Sequence, residues 1–190
     1  MKIEKCHFGV KEMNLLGFRF TEKGMEPFLD RCNAIQNFVV PKTRTGIQRF
    51  IGMVRYYQRF CPKLAEMSQP LTKLLKKGAD VPKDWDSEQD TAVLNIKQFF
   101  VSPPLLTHFD PTKPLYLQTD ASHFALGAVL CHVETINGKQ IEKPICYASK
   151  TLEKAQINYS VTEKECLAVV WSTELFRTML LARTSIHTAN

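Results

Sequence analysis

The chain has 190 residues, of which 44% are hydrophobic and 23% are charged. These values are typical of one or two globular domains, and they exclude a chain that is disordered throughout. The longest apolar run is far shorter than the ~20 residues that cross a bilayer, so we expect no contact with a membrane. The six cysteines form no Cys-x-x-Cys pair, and no signal-peptide pattern opens the chain. We therefore expect an intracellular protein with reduced thiols, in either the cytoplasm or the nucleus.

The formal net charge of +6 is concentrated in one part of the chain. Residues 42–77 contain nine basic side chains and one acid, Glu66, whereas the rest of the chain is slightly acidic. A basic segment beside nearly neutral ones suggests a polyanionic partner such as nucleic acid. A solvated helical surface is the alternative, and the charge alone does not separate the two interpretations.

Residues 1–30 predict short strands and turns, and residues 44–61 predict a helix. The apolar stripe of that helix is Ile47, Phe50, Ile51, Val54, Tyr57 and Cys61. Arg55 and Arg59 lie off the stripe, and Gly52 lies on their side, where glycine costs ~1 kcal/mol relative to alanine. Either a partner packs closely at Gly52 or the glycine is merely tolerated.

Two further helices are predicted before the pattern changes. Residues 70–77 have Pro70 in their first turn and Gly78 after their end. Residues 88–100 follow Ser87, a suitable N-cap with Asp90 three residues beyond it. A linker with Pro82 separates these helices, and four prolines mark a second connecting segment: Pro103, Pro104, Pro111 and Pro114.

The remainder predicts a sheet and one helix, so the fold class is α+β. Strands are expected at 115–120, 125–133 and 140–149, with a hairpin turn at Asn137-Gly138. A helix is expected at 162–178, and its buried stripe is expected to be Leu167, Val170 and Trp171. Two pairs have the spacing of a capping box at its start, Thr162 with Glu165 and Ser160 with Glu163. The sequence does not decide between them.

Two carboxylates, Asp120 and Glu165, are candidate ligands of a metal ion. Asp120 is expected at the end of an apolar strand and Glu165 in the first turn of a helix. Carboxylates in such positions can converge on one divalent cation, and oxygen ligands of this kind suit Mg²⁺. The alternative is that Asp120 begins a turn and Glu165 caps its helix.

Three motifs of the C-terminal half resemble the ribonuclease H domain of gypsy-type retrotransposon polyproteins. The run Thr119-Asp120-Ala121-Ser122, continued by residues 125–130, is similar to its first strand pair. Tyr147-Ala148-Ser149-Lys150-Thr151-Leu152 is similar to the third strand and the turn beyond it. Residues 158–171 are similar to the first helix.

The front of the chain resembles the reverse transcriptase of the same family. Leu16-Gly17-Phe18 is similar to the hairpin that grips the primer end, and residues 50–60 are similar to the thumb helix. Residues 70–75, Trp85 and the segment 103–106 follow in the family's order. The resemblance therefore implies the end of the palm at 1–30, a thumb at 31–78, a connection at 79–111 and a partial ribonuclease H domain at 112–190. The implied architecture is a helical region followed by a partial ribonuclease H-like mixed sheet, against which one helix packs.

The resemblance implies a role for particular residues. Asp120 and Glu165 are the first and second of four acids that hold two Mg²⁺ ions during cleavage of RNA paired to DNA. The thumb implies binding of an RNA–DNA hybrid or another duplex, within a longer Pol polyprotein. The residues expected to contact nucleic acid are Arg49, Gly52, Arg55, Tyr56, Arg59 and Lys63. Gly52 permits close backbone approach.

The sequence departs from the family pattern at its catalytic motifs. It contains no Asp-Asp pair, and by the family's order it starts after the polymerase motif Tyr-x-Asp-Asp. The third ribonuclease H aspartate falls on Asn190. We therefore expect no polymerase or nuclease activity from this chain alone. The alternative to an enzyme segment is a non-catalytic nucleic-acid-binding remnant or co-opted module.

The same departure affects the sheet. Residues 184–190 are shorter and more polar than the strand that the family places beside the strand of Asp120. We therefore expect that strand to expose an edge.

Overall fold

The computed structural model describes residues 9–182 and 187–189, and it confirms the α+β class. The strands are β1 Glu12–Leu15, β2 Phe18–Thr21, β3 Gly24–Pro27, β4 Leu115–Ala121, β5 Ala125–Ile136, β6 Lys139–Thr151 and β7 His187–Ala189. The helices are α1 Leu29–Asn37, α2 Arg44–Tyr56, α3 Leu64–Met67, α4 Gln69–Lys73, α5 Val81–Asp84, α6 Ser87–Phe99, α7 Val161–Leu175 and α8 Arg177–Leu181. None of these helices is long and apolar enough to cross a membrane.

The N-terminal strands form an antiparallel sheet in the order β1-β2-β3, which is tied to the segment that leads into the second sheet. Met25 and Leu106 exchange both of their backbone hydrogen bonds, at 2.7 and 2.9 Å. Gly24, with φ +150°, makes this approach possible, because a Cβ there would lie 2.1 Å from the Leu106 carbonyl oxygen. The hairpin and the connecting segment are therefore held together by backbone contacts.

The helix α2 follows the predicted apolar stripe but ends earlier than expected. The Thr43 side chain caps it by accepting a hydrogen bond from the Gly46 N–H. After Tyr56 the chain tightens into a 3₁₀ turn, Gln58–Phe60. The expected helix 44–61 is therefore too long, although Phe60 and Cys61 remain buried in the helical core. That core also contains Ile35, Ile47, Phe50, Val54, Leu71, Ile96 and Phe100.

The expected helix 70–77 is shorter in the structure, where it corresponds to α4, Gln69–Lys73; the short helix α3 precedes it. Helix α4 ends at Lys73, and the carbonyls of Leu75 and Lys76 instead accept hydrogen bonds from the Arg44 guanidinium. A side chain from α2 thus satisfies carbonyl groups that follow the end of α4 and have no partner within that helix.

The N-cap expected for α6 was also displaced by one residue. Asp86, not Ser87, caps the helix and forms a capping box with Gln89. Asp90 takes no part in the capping box; its carboxylate accepts a hydrogen bond from the Trp85 indole N–H at 2.8 Å.

The C-terminal sheet has the strand order β6-β5-β4-β7. The predicted hairpin turn is confirmed, with positive φ at both Asn137 and Gly138. The edge expected beside β4 is partly covered, because β7 pairs in parallel with Tyr116, Leu117 and Gln118. Three residues with their backbone groups in register are enough to pair with part of a strand, whatever the polarity of their side chains.

The N-cap of α7 is Ser160, whose side chain forms the capping box with Glu163, so this pair is confirmed over Thr162 and Glu165. Its buried line is Lys164, Ala168 and Ser172, with Leu167 and Trp171 half-buried beside it. Val170, expected in the stripe, is 65% exposed. Apolar residues lie on several sides of this helix, so their spacing does not identify its buried face. The small residues Ala168 and Ser172 lie on that face, against the sheet.

Each face of the C-terminal sheet has a different partner. Leu115, Leu117 and Leu130 lie on the face that packs against α7 and α8 through Trp171 and Phe176. Alternation places the residues between them on the opposite face. From that face, Tyr147 packs against the helical core, and Ser149 accepts a hydrogen bond from the Ala65 N–H at 2.9 Å.

Candidate functional site

All six residues expected to contact nucleic acid are solvent-exposed. Arg49, Gly52, Arg55 and Tyr56 lie on the face of α2 that is turned away from the helical core, since their spacing of three and four residues keeps them on one side. Arg59 follows in the 3₁₀ turn, and its guanidinium contacts the Met25 sulfur at 4.0 Å. The structure therefore places four of the six on one face of α2, and Arg59 follows shortly after its end. We call these five residues the α2 face.

Several cations of the basic segment have partners within the protein. Lys42 lies over the Trp85 ring, Lys63 pairs with Asp120 and Lys73 pairs with Glu88, while Arg44 bonds to carbonyls. Among the residues that the structure describes, the other five cations form no ion pair with a carboxylate. They are Arg49, Arg55, Arg59, Lys76 and Lys77. The α2 face thus keeps its three arginine charges uncompensated.

Gly52 is open to solvent. A Cβ built there would meet no atom of the described protein within 4 Å. Internal packing therefore does not require the glycine, which leaves approach by an external partner or simple tolerance as its explanation.

Tyr56 differs from its neighbours on the α2 face because it is already engaged. Its hydroxyl donates a hydrogen bond to the Leu16 carbonyl, and its ring stacks on Phe18 with centroids 5.3 Å apart. Tyr56 therefore attaches the β1–β2 turn to α2, while 52% of its surface stays exposed.

Asp120 lies near the end of β4 and pairs with Lys63 at 3.0 Å. Lys63 has a left-handed backbone, φ +58°, immediately before α3. The hydrogen bond and charge of Asp120, with a smaller effect from Glu66, raise the pKa of Lys63. Asp120 does not make the turn after β4, because the Ser122 hydroxyl accepts the turn's N–H groups.

Glu165 is half-buried in the second turn of α7, not in the first. The capping interaction belongs to Glu163, whose pKa is lowered by hydrogen bonds from Ser160. Neither Asp120 nor Glu165 therefore has the local structural role that the sequence left open. No hydrogen bond or ion pair of the described residues joins these two carboxylates.

The carboxylates present do not make up a two-ion magnesium site. Within residues 9–182 and 187–189, no three His, Cys, Asp or Glu side chains are grouped so that they could hold a metal ion. The nearest cation to Asp120 is the Lys63 ammonium. Asn190, the position expected for a third acid, lies outside the described residues.

The sequence interpretation missed three residues at the end of β6. Ser149, Lys150 and Thr151 line a cleft of about 520 Å³ together with Arg55. The sequence placed Ser149 in the strand 140–149 and Lys150 and Thr151 beyond its end, whereas β6 continues to Thr151. No local pattern marks these residues as lining a cleft.

Comparison with known proteins defines the class. Residues 85–187, more than half of the chain, match the family described as the RNase H-like domain found in reverse transcriptase. The chain belongs to that family.

The relatives narrow this assignment. The Transposon Tf2-3 polyprotein of Schizosaccharomyces pombe is 39% identical over 173 residues, which are 91% of this chain and 13% of that polyprotein. The Tf2-4 polyprotein matches equally. The chain is a reverse transcriptase and ribonuclease H-like segment of the gypsy-type retrotransposon Pol polyproteins, and it spans about an eighth of these relatives' length.

Solved structures agree with this fold. The foamy viral protease-reverse transcriptase in complex with RNA/DNA hybrid superimposes with a TM-score of 0.71 at 21% identity, over 89% of this chain and 22% of that one. The same enzyme in complex with dsDNA gives a TM-score of 0.70 at 26% identity, over 91% of this chain and 35% of that one.

The Lys63–Asp120 pair predicts a specific pH behaviour. A folded-state pKa raised above the usual 10.5 means that the pair stabilises the fold below that pH and stops doing so as the pH rises through the raised value. Asp120→Asn should bring the pKa of Lys63 back toward 10.5, and Glu66→Gln should lower it less. NMR titration of the Lys63 Nζ measures both. An unchanged midpoint in Asp120→Asn would show that the pair is absent in solution.

Proposed function

We propose that this chain is the nucleic-acid-holding part of a retrotransposon reverse transcriptase, and that it binds RNA–DNA hybrid or duplex through the α2 face. The observation that carries the proposal is the α2 face itself: Arg49, Arg55 and Arg59 are exposed, uncompensated by carboxylates and arranged around an open Gly52. The solved relatives whose titles name bound RNA/DNA hybrid and dsDNA support it.

The proposal includes the division of the chain. The β1–β3 sheet would belong to the palm (1–30), the helices that follow to the thumb (31–78), and the segment 79–111 to the connection. The ribonuclease H-like part would occupy 112–190. Residues of α2 and α6 are buried in one core, so the proposed thumb and connection would pack as a unit.

We propose further that Asp120 and Glu165 are carboxylates of the ribonuclease H centre, which needs ligands for Mg²⁺ beyond those described here. Asp120 does not begin the turn after β4 and Glu165 does not cap α7, which supports this. The rest of a Pol polyprotein would be the partner that supplies polymerase function.

A non-catalytic binding module is the second candidate. The ion pair that places the Lys63 ammonium on Asp120 favours it, because a cation already neutralises the carboxylate. The coding sequence on both sides separates the candidates: intact Tyr-x-Asp-Asp and Thr-Asp-His motifs indicate an enzyme segment, whereas stop codons indicate a remnant.

Removal of two cations from the α2 face should weaken binding and its dependence on salt. In Arg49→Ala with Arg59→Ala, loss of two phosphate contacts should lower the slope of log affinity against log salt by nearly two. Fluorescence anisotropy with a short RNA–DNA hybrid over a salt series measures this slope. The matched control is Lys154→Ala with Arg177→Ala, which removes the same charge elsewhere. If both double variants bind alike at every salt concentration, the α2 face is not the interface.

Substitution of Gly52 by alanine should change the stability of the fold and its affinity for nucleic acid in opposite directions. Gly52→Ala should raise the free energy of unfolding by about 0.5–1 kcal/mol, since alanine is the better helix former and its Cβ meets open space. The same methyl group should weaken hybrid binding if the nucleic acid approaches this backbone. Urea unfolding and anisotropy test the two effects, with Gln48→Ala as an exposed control on the same helix. Unweakened binding would show that Gly52 is only tolerated.

This chain should not cut RNA. Two-metal hydrolysis requires ligands on both ions, and only Asp120 and Glu165 are proposed here. Incubation of a labelled RNA–DNA hybrid with Mg²⁺ or Mn²⁺ should give no cleavage above the level of Asp120→Asn. Cleavage that disappears in that variant would contradict the proposal that further carboxylates are needed.

A further inference from the structure

His132 is a buried histidine that the proposed function does not use. It lies on β5 with 2% of its surface exposed. In register it pairs with Leu115 of β4 on one side and with Lys143 of β6 on the other. Its ring stacks on Phe109, and the two ring planes are 15° apart. His132 therefore meets residues 107–114, through which the chain enters β4 and which we call the entry segment.

The hydrogen bonds of the ring fix one neutral tautomer. The Asp110 N–H donates to Nε2 at 3.1 Å, and since an amide N–H cannot accept, Nε2 carries no proton. Nδ1 lies 2.7 Å from the Pro114 carbonyl oxygen, which can only accept, so Nδ1 carries the proton and donates it. The neutral ring thus binds the backbone of the entry segment at two points.

A second proton on this ring breaks one of the two bonds. The imidazolium donates at both nitrogens, so an Nε2–H would point at the Asp110 N–H. At 2% exposure the ring has little contact with water, and a buried donor without an acceptor is costly. The protonated ring is therefore accommodated only when the entry segment moves away from the sheet.

The charges around the ring cancel. Four charged side chains face it: Asp110 and Lys113 from the entry segment, Glu134 from β5 and Lys143 from β6. Hydrogen bonds from Thr112 lower the pKa of Asp110, with a smaller effect from His132 itself. Hydrogen bonds from Lys113 and Lys143 lower the pKa of Glu134 to about 2. Both carboxylates are therefore ionised wherever an imidazole titrates, and the two ammonium groups balance them.

The other neighbours of the ring do not change charge in this range. Helix α8 contributes Phe176 and Leu180 to the apolar cluster that Phe109 joins. Burial raises the pKa of the Cys146 thiol in that cluster to about 11. His108 is exposed, and its Nε2 lies 2.7 Å from the Thr21 carbonyl oxygen, away from this site. Among the described groups that face His132, only its own imidazole titrates between about pH 5 and 8.

We infer that His132 is an acid-sensitive clasp: its neutral ring holds the entry segment on the sheet, and protonation releases that segment. The released form binds one proton more than the clasped form. The clasp is therefore stable above about pH 6.5, where an accessible imidazole titrates, and is lost as the pH falls below that value. The ratio of released to clasped molecules then rises up to about tenfold per pH unit. This dependence on pH holds whatever the chain binds.

Hydrogen exchange of the Asp110 amide tests the inference in the full chain. Its protection factor, corrected for the intrinsic effect of pH, should fall about tenfold between about pH 7.5 and pH 5.5. His132→Gln should keep the protection constant, because its side-chain amide can accept from the Asp110 N–H and donate to the Pro114 carbonyl but does not titrate.

The matched control is His108→Gln, which removes a titrating ring from the same segment and leaves the clasp in place. It should lose protection at Asp110 as the parent chain does. Constant protection in the parent chain would overturn the inference. An equal fall in all three proteins would also overturn it, because the effect of pH would then belong to another group.

The ring nitrogens of His132 give a second measurement that needs no substitution. Their NMR chemical shifts should show a protonated Nδ1 and an unprotonated Nε2 near neutral pH. Protonation of Nε2 should accompany the loss of protection at Asp110. The opposite tautomer, or a doubly protonated ring beside an Asp110 amide that is still protected, would contradict the clasp even if His132→Gln does not fold.

Discussion

The packing of residues 58–67 against one face of the C-terminal sheet is the constraint on which the rest of the structure depends. Phe60 is fully buried in the helical core, and Tyr147 reaches that core from the sheet. The Ala65–Ser149 hydrogen bond and the Lys63–Asp120 ion pair also join this segment to the sheet. Because α7 covers the opposite face, both faces of the sheet are occupied. The helical core and the C-terminal sheet consequently hold a defined orientation.

This orientation distributes the charges unevenly. Cations that face other parts of the chain, such as Lys63 and Lys73, are paired with carboxylates. Arg49 and Arg55 face solvent, and no described carboxylate neutralises them. Exposed ion pairs of this kind contribute little stability, but each removes a cation from those available to an external partner. A phosphate backbone would meet that charge without an internal competitor.

The sequence predicted the features that depend on local chemistry. The Asn137-Gly138 turn and the stripe of α2 follow from backbone and side-chain preferences over a few residues. The Ser160–Glu163 box was one of two that the spacing allowed, and the structure decides between them. The sequence did not predict the long-range contacts. The Arg44 guanidinium donates hydrogen bonds to the carbonyls after α4, and β7 pairs with β4. The exposed face of α7 was misassigned because its apolar residues show no single period. The six expected nucleic-acid contacts proved exposed, yet the pairing of Lys63 with Asp120 joins residues 57 positions apart, which no local pattern reveals.

The central claim is that duplex nucleic acid lies along the α2 face. NMR observation of the arginine Nε–Hε groups during titration with an RNA–DNA hybrid tests it most directly. Arg49, Arg55 and Arg59 should shift together, while Arg19, which is paired with Glu12 and Glu26, and Arg177 on α8 should remain in place. Shifts confined to Arg19 and Arg177, or equal shifts at all five, would contradict the account.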